Sequence, residues 1–190
     1  MSLRLITPAA ALAVSLAEAK LHLRVDGADE DSLITALITA AAETAEQITG
    51  RAIMPQTWEL TLDAFPDALE LTRVPALSVT SVKYYDTTGA QITLAGSAYS
   101  LDNVDDFGPA YVAPAYGAEW PGTREQINAV AVRYVAGYAD AASVPAPIKQ
   151  WMLLQIGAMY ANREREAMSN GGAVTLKFAD GLLDRYRVYA

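Results

Sequence analysis

The chain has 190 residues, 52% of them hydrophobic, and a formal net charge of -8 at neutral pH. This length allows one domain with a sizeable core, and the negative charge argues against a surface that grips nucleic acid or an anionic membrane. With no cysteine and a single histidine, the chain has neither disulfide bonds nor the ligands for a zinc site built on histidine or thiolate.

The first segment, Leu3 to Leu16, is apolar and resembles the hydrophobic part of a signal peptide. Pro8 interrupts it, however, and a capping-box pattern, Ser15-x-x-Glu18, follows at once. We therefore expect an extended lead-in to a short helix that runs to about Arg24. No run in the sequence reaches the roughly 18 apolar residues that a membrane-spanning helix needs.

A second, longer helix is predicted to begin at Asp29 or Asp31 and to end at Gly50, where glycine supplies the stop signal. Apolar residues recur in it at spacings of three and four, which indicates one buried face. The members of this stripe are Leu33, Ile34, Leu37, Ile38, Ala41, Ala45 and Ile48.

The middle of the chain, about 54–138, changes to alternating and β-branched patterns separated by turn signals. It predicts a small antiparallel sheet with strands in 57–62, 69–72, 79–85 and 128–135. Residues 82–86 and 91–94 around Thr88-Gly89 predict a hairpin whose register the loop length leaves open.

Helix resumes at Pro145, with proline near its first turn, and is predicted to continue to about Arg165. Its apolar stripe has to pack on something large, and the second helix is the obvious partner. We therefore predict an α+β fold: a helical core of two N-terminal helices and a long C-terminal helix, with the β region inserted at about 54–138.

The last eighteen residues, 173–190, follow a polar run that closes in Gly171-Gly172, which is typical of a flexible hinge. A disordered tail is poor in large apolar residues, whereas burying those of this tail would be favourable by roughly 1.5–3 kcal/mol each. We predict residues 1–172 as one domain and 173–190 as an extended tail that docks on a partner; the alternative is that it folds back onto its own domain. The docking candidates are Phe178, Leu182, Leu183, Tyr186, Arg187 and Val188.

No catalytic, cofactor or metal site is predicted. His22 has the pattern of a surface or boundary residue, and no G-x-S-x-G motif presents a nucleophilic serine. The acidic group around Asp29 is typical of residues that precede a helix. An alternative function is a small hydrolase or carbohydrate-binding domain that uses the tyrosine-rich β region.

Several segments, in order, resemble the head-tail connector (adaptor) proteins of tailed phages and of phage-derived gene transfer agents. The similarity extends over nearly the whole chain. Its segments are Leu5-Ile6-Thr7-Pro8, Ser15 to Val25, the helix ending in Thr49-Gly50-Arg51, Gln56 to Leu60, Ser81 to Asp86, Tyr116 to Arg124, Val132 to Tyr138, and Pro147-Ile148-Lys149.

The resemblance implies a structural virion protein, made in the host cytoplasm, and not an enzyme. It implies a ring, commonly of twelve copies, that binds the portal protein at the capsid vertex and a head-closure or tail-completion protein of the neck. DNA would pass through its lumen without sequence-specific binding, and no membrane or cofactor is involved. The family's C-terminal segment reaches into the portal, which agrees with the predicted docking tail. Another neck component stays an alternative.

Overall fold

The computed structural model describes residues 1–103, 108–162 and 177–188 and combines four helices with antiparallel sheets. This arrangement confirms the predicted α+β class. The division into a domain, 1–172, and a tail, 173–190, stays a prediction. None of the described helices is long and apolar enough to cross a membrane.

Local sequence signals set the first two helices. Helix α1 (Leu16–Leu23) begins with the predicted capping box, in which the Ser15 hydroxyl accepts from the Glu18 N–H at 3.2 Å and the Glu18 carboxylate accepts from the Ser15 N–H at 2.7 Å. Helix α2 (Asp31–Thr49) ends at Gly50, whose φ of 74° lies in the left-handed region that glycine adopts without strain. Both helices therefore confirm the predicted elements.

Helix α3 (Ala146–Ala161) and helix α4 (Lys177–Asp184) complete the helical part. The prediction of an extended C-terminal tail is wrong for residues 177–184, which form a helix that buries Leu183 in the helical core. The end of α3 at Ala161 comes before the predicted end near Arg165, which lies outside the described residues. In α2, the prediction of Leu33 as a core residue is wrong, because its side chain is 37% exposed at the edge of the buried stripe. The helical core is formed mainly by Ile34, Ile38, Ala41, Ala45, Ile148, Met152, Ile156 and Leu183.

The strands form two sheets, not the single sheet that the sequence predicts. The larger sheet has the order β1-β2-β8-β4-β5 and the smaller has the order β3-β7-β6, and all pairs are antiparallel. The strands are β1 (Ser2–Thr7), β2 (Gln56–Leu62), β3 (Leu69–Leu71), β4 (Ala76–Tyr85), β5 (Gln91–Thr93), β6 (Tyr99–Asp102), β7 (Ala110–Pro114) and β8 (Val130–Ala136).

The first strand comes from outside the predicted β region. The N-terminal lead-in is extended, as expected, but it also pairs with β2, with Leu3 opposite Leu60 and Arg4 opposite Glu59. The predicted hairpin is confirmed, and its register places Lys83 opposite Thr93 and Tyr85 opposite Gln91. The larger sheet therefore combines a strand from the first residues of the chain with strands from the predicted β region.

A second hydrophobic core, the sheet core, lies among the strands. It contains the fully buried side chains of Leu60, Leu69, Leu71, Val82, Val112, Val132 and Tyr134. The segment from Thr49 to Gln56 connects α2 to β2, so it passes from one core to the other.

Candidate functional site

The predicted docking tail reaches both cores of its own domain. In α4, Leu183 is completely buried in the helical core, and Leu182 and Tyr186 pack against that core from half-buried positions. Five residues after Leu183, Val188 packs against the sheet core. The backbone of Phe178 lies in α4, but its side chain lies outside the described residues.

Residues of the connection between α2 and β2 form hydrogen bonds with the backbone of the C-terminal segment. The Val188 N–H donates to the Thr49 carbonyl at 2.8 Å, and Arg51 Nε donates to the Tyr186 carbonyl at 2.6 Å. A Cβ placed on Gly50 would lie 3.4 Å from the Val188 oxygen and 3.7 Å from Val188 Cβ. Both distances are ordinary van der Waals contacts, so the left-handed φ, and not crowding by residue 188, is the reason for a glycine at position 50.

Two arginines, Arg51 and Arg73, lie near this contact, between the helical core and the sheet core. Arg51 is only 1% exposed, although its guanidinium is charged. The Arg73 guanidinium donates from Nη1 to the carbonyls of Glu46, at 3.2 Å, and Arg51, at 3.4 Å, and it lies 5.1 Å from the centre of the Trp58 ring. A buried charge is tolerated only when it is hydrogen-bonded, so these carbonyls fix the path of the chain between the cores.

These contacts match the alternative in which the tail folds back onto its own domain. Arg187 is half-buried and its guanidinium pairs with the Asp184 carboxylate at 3.1 Å, within the segment itself. These contacts lie within one chain and do not test whether the segment also binds a partner protein. The docking role of Phe178, Leu182, Leu183, Tyr186, Arg187 and Val188 therefore stays a prediction.

A small groove with a volume of about 170 Å³ lies between the N-terminal lead-in and α2. Most of the residues that line it are apolar, among them Pro8, Ala42, and Leu5 and Leu12, which are 42% and 36% exposed. Two carboxylates of α2, Glu43 and Glu46, line the same groove. They stand three residues apart, so they lie on one face of the helix.

The environments of Glu43 and Glu46 differ. Burial raises the pKa of Glu46, although its Oε1 accepts from the Ile53 N–H at 2.8 Å and from the side-chain amide of Gln56. Its Oε2 has no hydrogen bond among the described residues. Glu43 is exposed, and within the described part of the chain it has no ion pair. The groove is thus acidic and can accept a cation.

A carboxylate of the larger sheet, Glu59, is already paired. Burial would raise the pKa of Glu59, but hydrogen bonds from Arg133 and Arg4 outweigh it and hold that pKa below its ordinary value. Their nitrogen–oxygen distances are 2.6 Å for Arg133 and 2.9 Å for Arg4. This pairing fixes β1 to β2 across the sheet.

The remaining sequence candidates lie apart from one another. His22 is exposed at the surface of α1 beside Gly157 of α3, which agrees with the predicted boundary position. Asp31 pairs with Lys20 at 2.6 Å, and Glu30 accepts from the Tyr160 hydroxyl. Among the residues that the structure describes, no three histidine, aspartate or glutamate side chains cluster in a way that would hold a metal ion.

Sequence reasoning missed the roles of Thr49 and Arg51 in holding the C-terminal segment. Thr49-Gly50-Arg51 was noted only as a helix end, because a local pattern does not show a hydrogen bond between residues 135 positions apart. The groove also went unnoticed, since it is lined by two segments that are distant in sequence.

Residues 13–98 match the model of the family described as phage gp6-like head-tail connector proteins. This match confirms the resemblance to the head-tail connector family. It includes α1, α2, β2 to β5 and the connection that carries Thr49, Gly50 and Arg51. No curated protein shows a significant sequence match.

Solved structures extend the similarity of fold to the whole chain. A chain of the neck of an empty gene transfer agent particle, computed with C6 symmetry, matches with a TM-score of 0.79 at 24% identity. A chain of the virion of a native gene transfer agent particle gives 0.78 at 25% identity, and one of the neck of a native particle, computed with C12 symmetry, gives 0.77 at 23%. Each match covers 100% of this chain and 97% of the other.

Proposed function

We propose that this chain is a structural protein of the neck of a virion or phage-like particle, where it forms the head-tail adaptor ring. In this role it connects the portal at the capsid vertex to the neck and tail and continues the DNA channel. The observation that carries the proposal is the connector-family match over residues 13–98, together with the full-length similarity of fold to chains of gene transfer agent particles. The role is structural and not enzymatic.

The ring has twelve copies in this proposal, which one similar particle neck supports, because it was computed with C12 symmetry. A closed ring needs two different patches on each subunit, one for each neighbour. The net charge of -8 suits a channel wall, because DNA phosphates find few cations to bind there. A ring whose lumen proved basic would contradict this part of the proposal.

The C-terminal segment 177–188 is proposed to bind the portal after it leaves its site on the domain. Leu183 is completely buried, so it becomes available to a partner only when α4 is released. Release requires little secondary structure to be broken, because α4 has only eight residues, too few for a stable isolated helix. The residues after α4 must also give up two hydrogen bonds, from the Val188 N–H to the Thr49 carbonyl and from the Arg51 side chain to the Tyr186 carbonyl.

The first test is binding of the purified chain to the portal ring of the same particle. The full-length protein is compared with a version that ends at Gly172, and complexes are examined by electron microscopy. We expect only the full-length protein to bind and to form a ring on the portal. Equal binding of the truncated protein would remove the docking role from the tail, and failure of both proteins to bind would contradict the adaptor function.

A disulfide lock tests release directly. In a Gly50→Cys/Val188→Cys double variant, the 3.7 Å separation measured from a Cβ on residue 50 to Val188 Cβ matches the roughly 3.8 Å that disulfides prefer. The chain has no other cysteine to interfere. We expect the oxidised variant to lose portal binding and the reduced variant to regain it.

The controls for the lock are the two single variants under oxidising conditions. Gly50→Cys also reports the cost of a side chain at a φ of 74°. Portal binding by the oxidised double variant as strong as that of the reduced form would show that release is not needed.

A further inference from the structure

We propose that the outward face of α1 in one subunit docks into the acidic groove of the next subunit, with Arg24 of one copy paired with Glu43 and Glu46 of its neighbour. This inference rests on the proposed ring and identifies one contact between neighbouring subunits of that ring. The occupant of the groove is therefore a second copy of this chain.

The α1 face presents an apolar residue and a cation side by side. Ala17 and Leu21 stand four residues apart on one face of α1, and Arg24, which caps the end of the helix, lines the same surface depression; all three are exposed. Leu21 is 81% exposed, which is unusual for a leucine in the middle of a short helix. This face therefore has the composition of a contact surface.

Arg24 is fixed in place but has a free charge. Its backbone adopts the left-handed conformation, with φ at 59°, and its N–H donates to the carbonyls of Leu21 and Lys20. Within the described residues its guanidinium has neither a hydrogen bond nor an ion pair. A guanidinium held at the end of a helix beside an exposed leucine is ready to pair with a carboxylate.

The groove offers the complementary arrangement. Glu43 and Glu46 stand three residues apart on α2, so their Cβ atoms lie about 5–6 Å apart, and one guanidinium with its several N–H donors can pair with both carboxylates. Leu5 and Leu12 provide apolar contacts for Leu21, and a volume of about 170 Å³ suits one side chain. The two patches therefore match in chemistry and in size.

The two patches lie at different ends of the helical part. Lys20, one turn before Arg24, is bonded to Asp31 at the start of α2, whereas Glu43 lies twelve residues farther along that helix, about 18 Å at 1.5 Å per residue. They share no residue. A contact between two such patches is heterologous, and repetition of a heterologous contact closes a ring when its rotation allows it.

Charge favours this pairing over others. Copies with a net charge of -8 repel one another, so a contact between them needs a local cation opposite a local carboxylate. Lys83 is a second exposed cation without a partner among the described residues, but it lies on β4, and the exposed leucine of that strand, Leu77, is six residues away, about 20 Å along a strand. Lys83 is therefore a suitable control.

The test is a charge exchange measured by ring assembly in the presence of the portal ring, with native mass spectrometry and electron microscopy as readouts. Arg24→Glu and Glu43→Lys are each expected to weaken subunit association roughly tenfold or more, because like charges then meet. The double variant Arg24→Glu/Glu43→Lys is expected to restore it. Lys83→Glu and Glu119→Lys, which reverse other exposed charges, should assemble like the wild type.

The outcomes separate this contact from the function. If the wild type forms rings and both single variants form them equally well, this contact is wrong and the adaptor proposal stands. If the single variants fail and the double variant fails too, the pairing of Arg24 with Glu43 is also wrong. If the wild type forms no ring, the adaptor proposal and this contact both fail. Unchanged thermal unfolding of each variant confirms that the domain is folded.

Discussion

The helical core and the sheet core of this protein differ in the polar groups that they bury. The buried side chains of the helical core are aliphatic, such as Ile38, apart from Met54, Met152 and Trp151. The sheet core contains Tyr134, which is completely buried and whose hydroxyl accepts from the Arg73 N–H at 3.3 Å. The stability of the helical core therefore depends on apolar packing, whereas the stability of the sheet core depends also on whether the buried Tyr134 hydroxyl is protonated.

The C-terminal segment differs from both cores, although it contacts both. Leu183 is as buried as Ile38, yet it belongs to an eight-residue helix near the end of the chain, whereas Ile38 lies in the middle of a nineteen-residue helix. Equal burial therefore does not mean equal cooperativity with the rest of the domain.

The largest effect is expected from the helical core. Ile38→Ala removes a completely buried side chain and is expected to lower the free energy of unfolding by about 2–5 kcal/mol. Urea denaturation monitored by circular dichroism measures it. Leu33→Ala, in the same helix but at a 37% exposed position, is the control and should cost less than about 1 kcal/mol. Equal losses would contradict the position of the core stripe.

A comparable effect, confined to alkaline pH, is expected from the sheet core. Burial raises the pKa of Tyr134 from 10.0 to about 12, against the smaller opposing effects of the Arg73 N–H and charge. Between these values the native state keeps a proton that the unfolded chain loses. Its contribution to stability is therefore fully present below pH 10 and is lost as the pH rises through 12, by about 3 kcal/mol.

The control for this pH dependence is Tyr134→Phe, which removes the titrating group. Urea denaturation of both proteins at pH 8, 10 and 12 should show a steeper loss of stability in the wild type. The variant should start about 1 kcal/mol lower, because the Arg73 N–H loses its acceptor. Parallel pH profiles of the two proteins would contradict the assigned role of Tyr134.

The smallest global effect is expected from Leu183→Ala. We expect α4 to detach by itself, so that the free energy of global unfolding falls by less than in Ile38→Ala, while amide exchange over 179–188 becomes much faster. Hydrogen exchange with mass spectrometry measures both regions in one experiment. Leu182→Ala, at a half-buried position, is the control. A global loss as large as that of Ile38→Ala would show that α4 unfolds only with the domain.

Elements with local signals are predicted well from the sequence. The capping box at Ser15, the stop at Gly50 and the hairpin around Gly89 each depend on residues a few positions apart, and the structure confirms all three. The pairing of β1 with β2 was missed, because it joins Leu3 to Leu60 and no pattern within the first residues identifies the partner strand. The division of the strands into two sheets was missed for the same reason.

The candidate site shows the same limit. The apolar residues of the C-terminal segment were identified from composition, which indicated that they would be buried but not on what. Their positions were decided by Leu183 packing between α2 and α3 and by the Arg51 bond to the Tyr186 carbonyl. Whether they also contact a portal depends on a second molecule.

By itself, the sequence determined the α+β class, the positions of the first two helices and the resemblance to head-tail connector proteins. Hydrophobic periodicity, helix caps and short motifs each depend on residues that are close together in the sequence. Only the tertiary structure decided that the first strand forms one edge of the larger sheet and that Leu33 stays outside the core. It also decided that Tyr186 and Val188 are hydrogen-bonded to Arg51 and Thr49. These contacts join residues far apart in sequence, and their partners are selected by the packing of the whole domain.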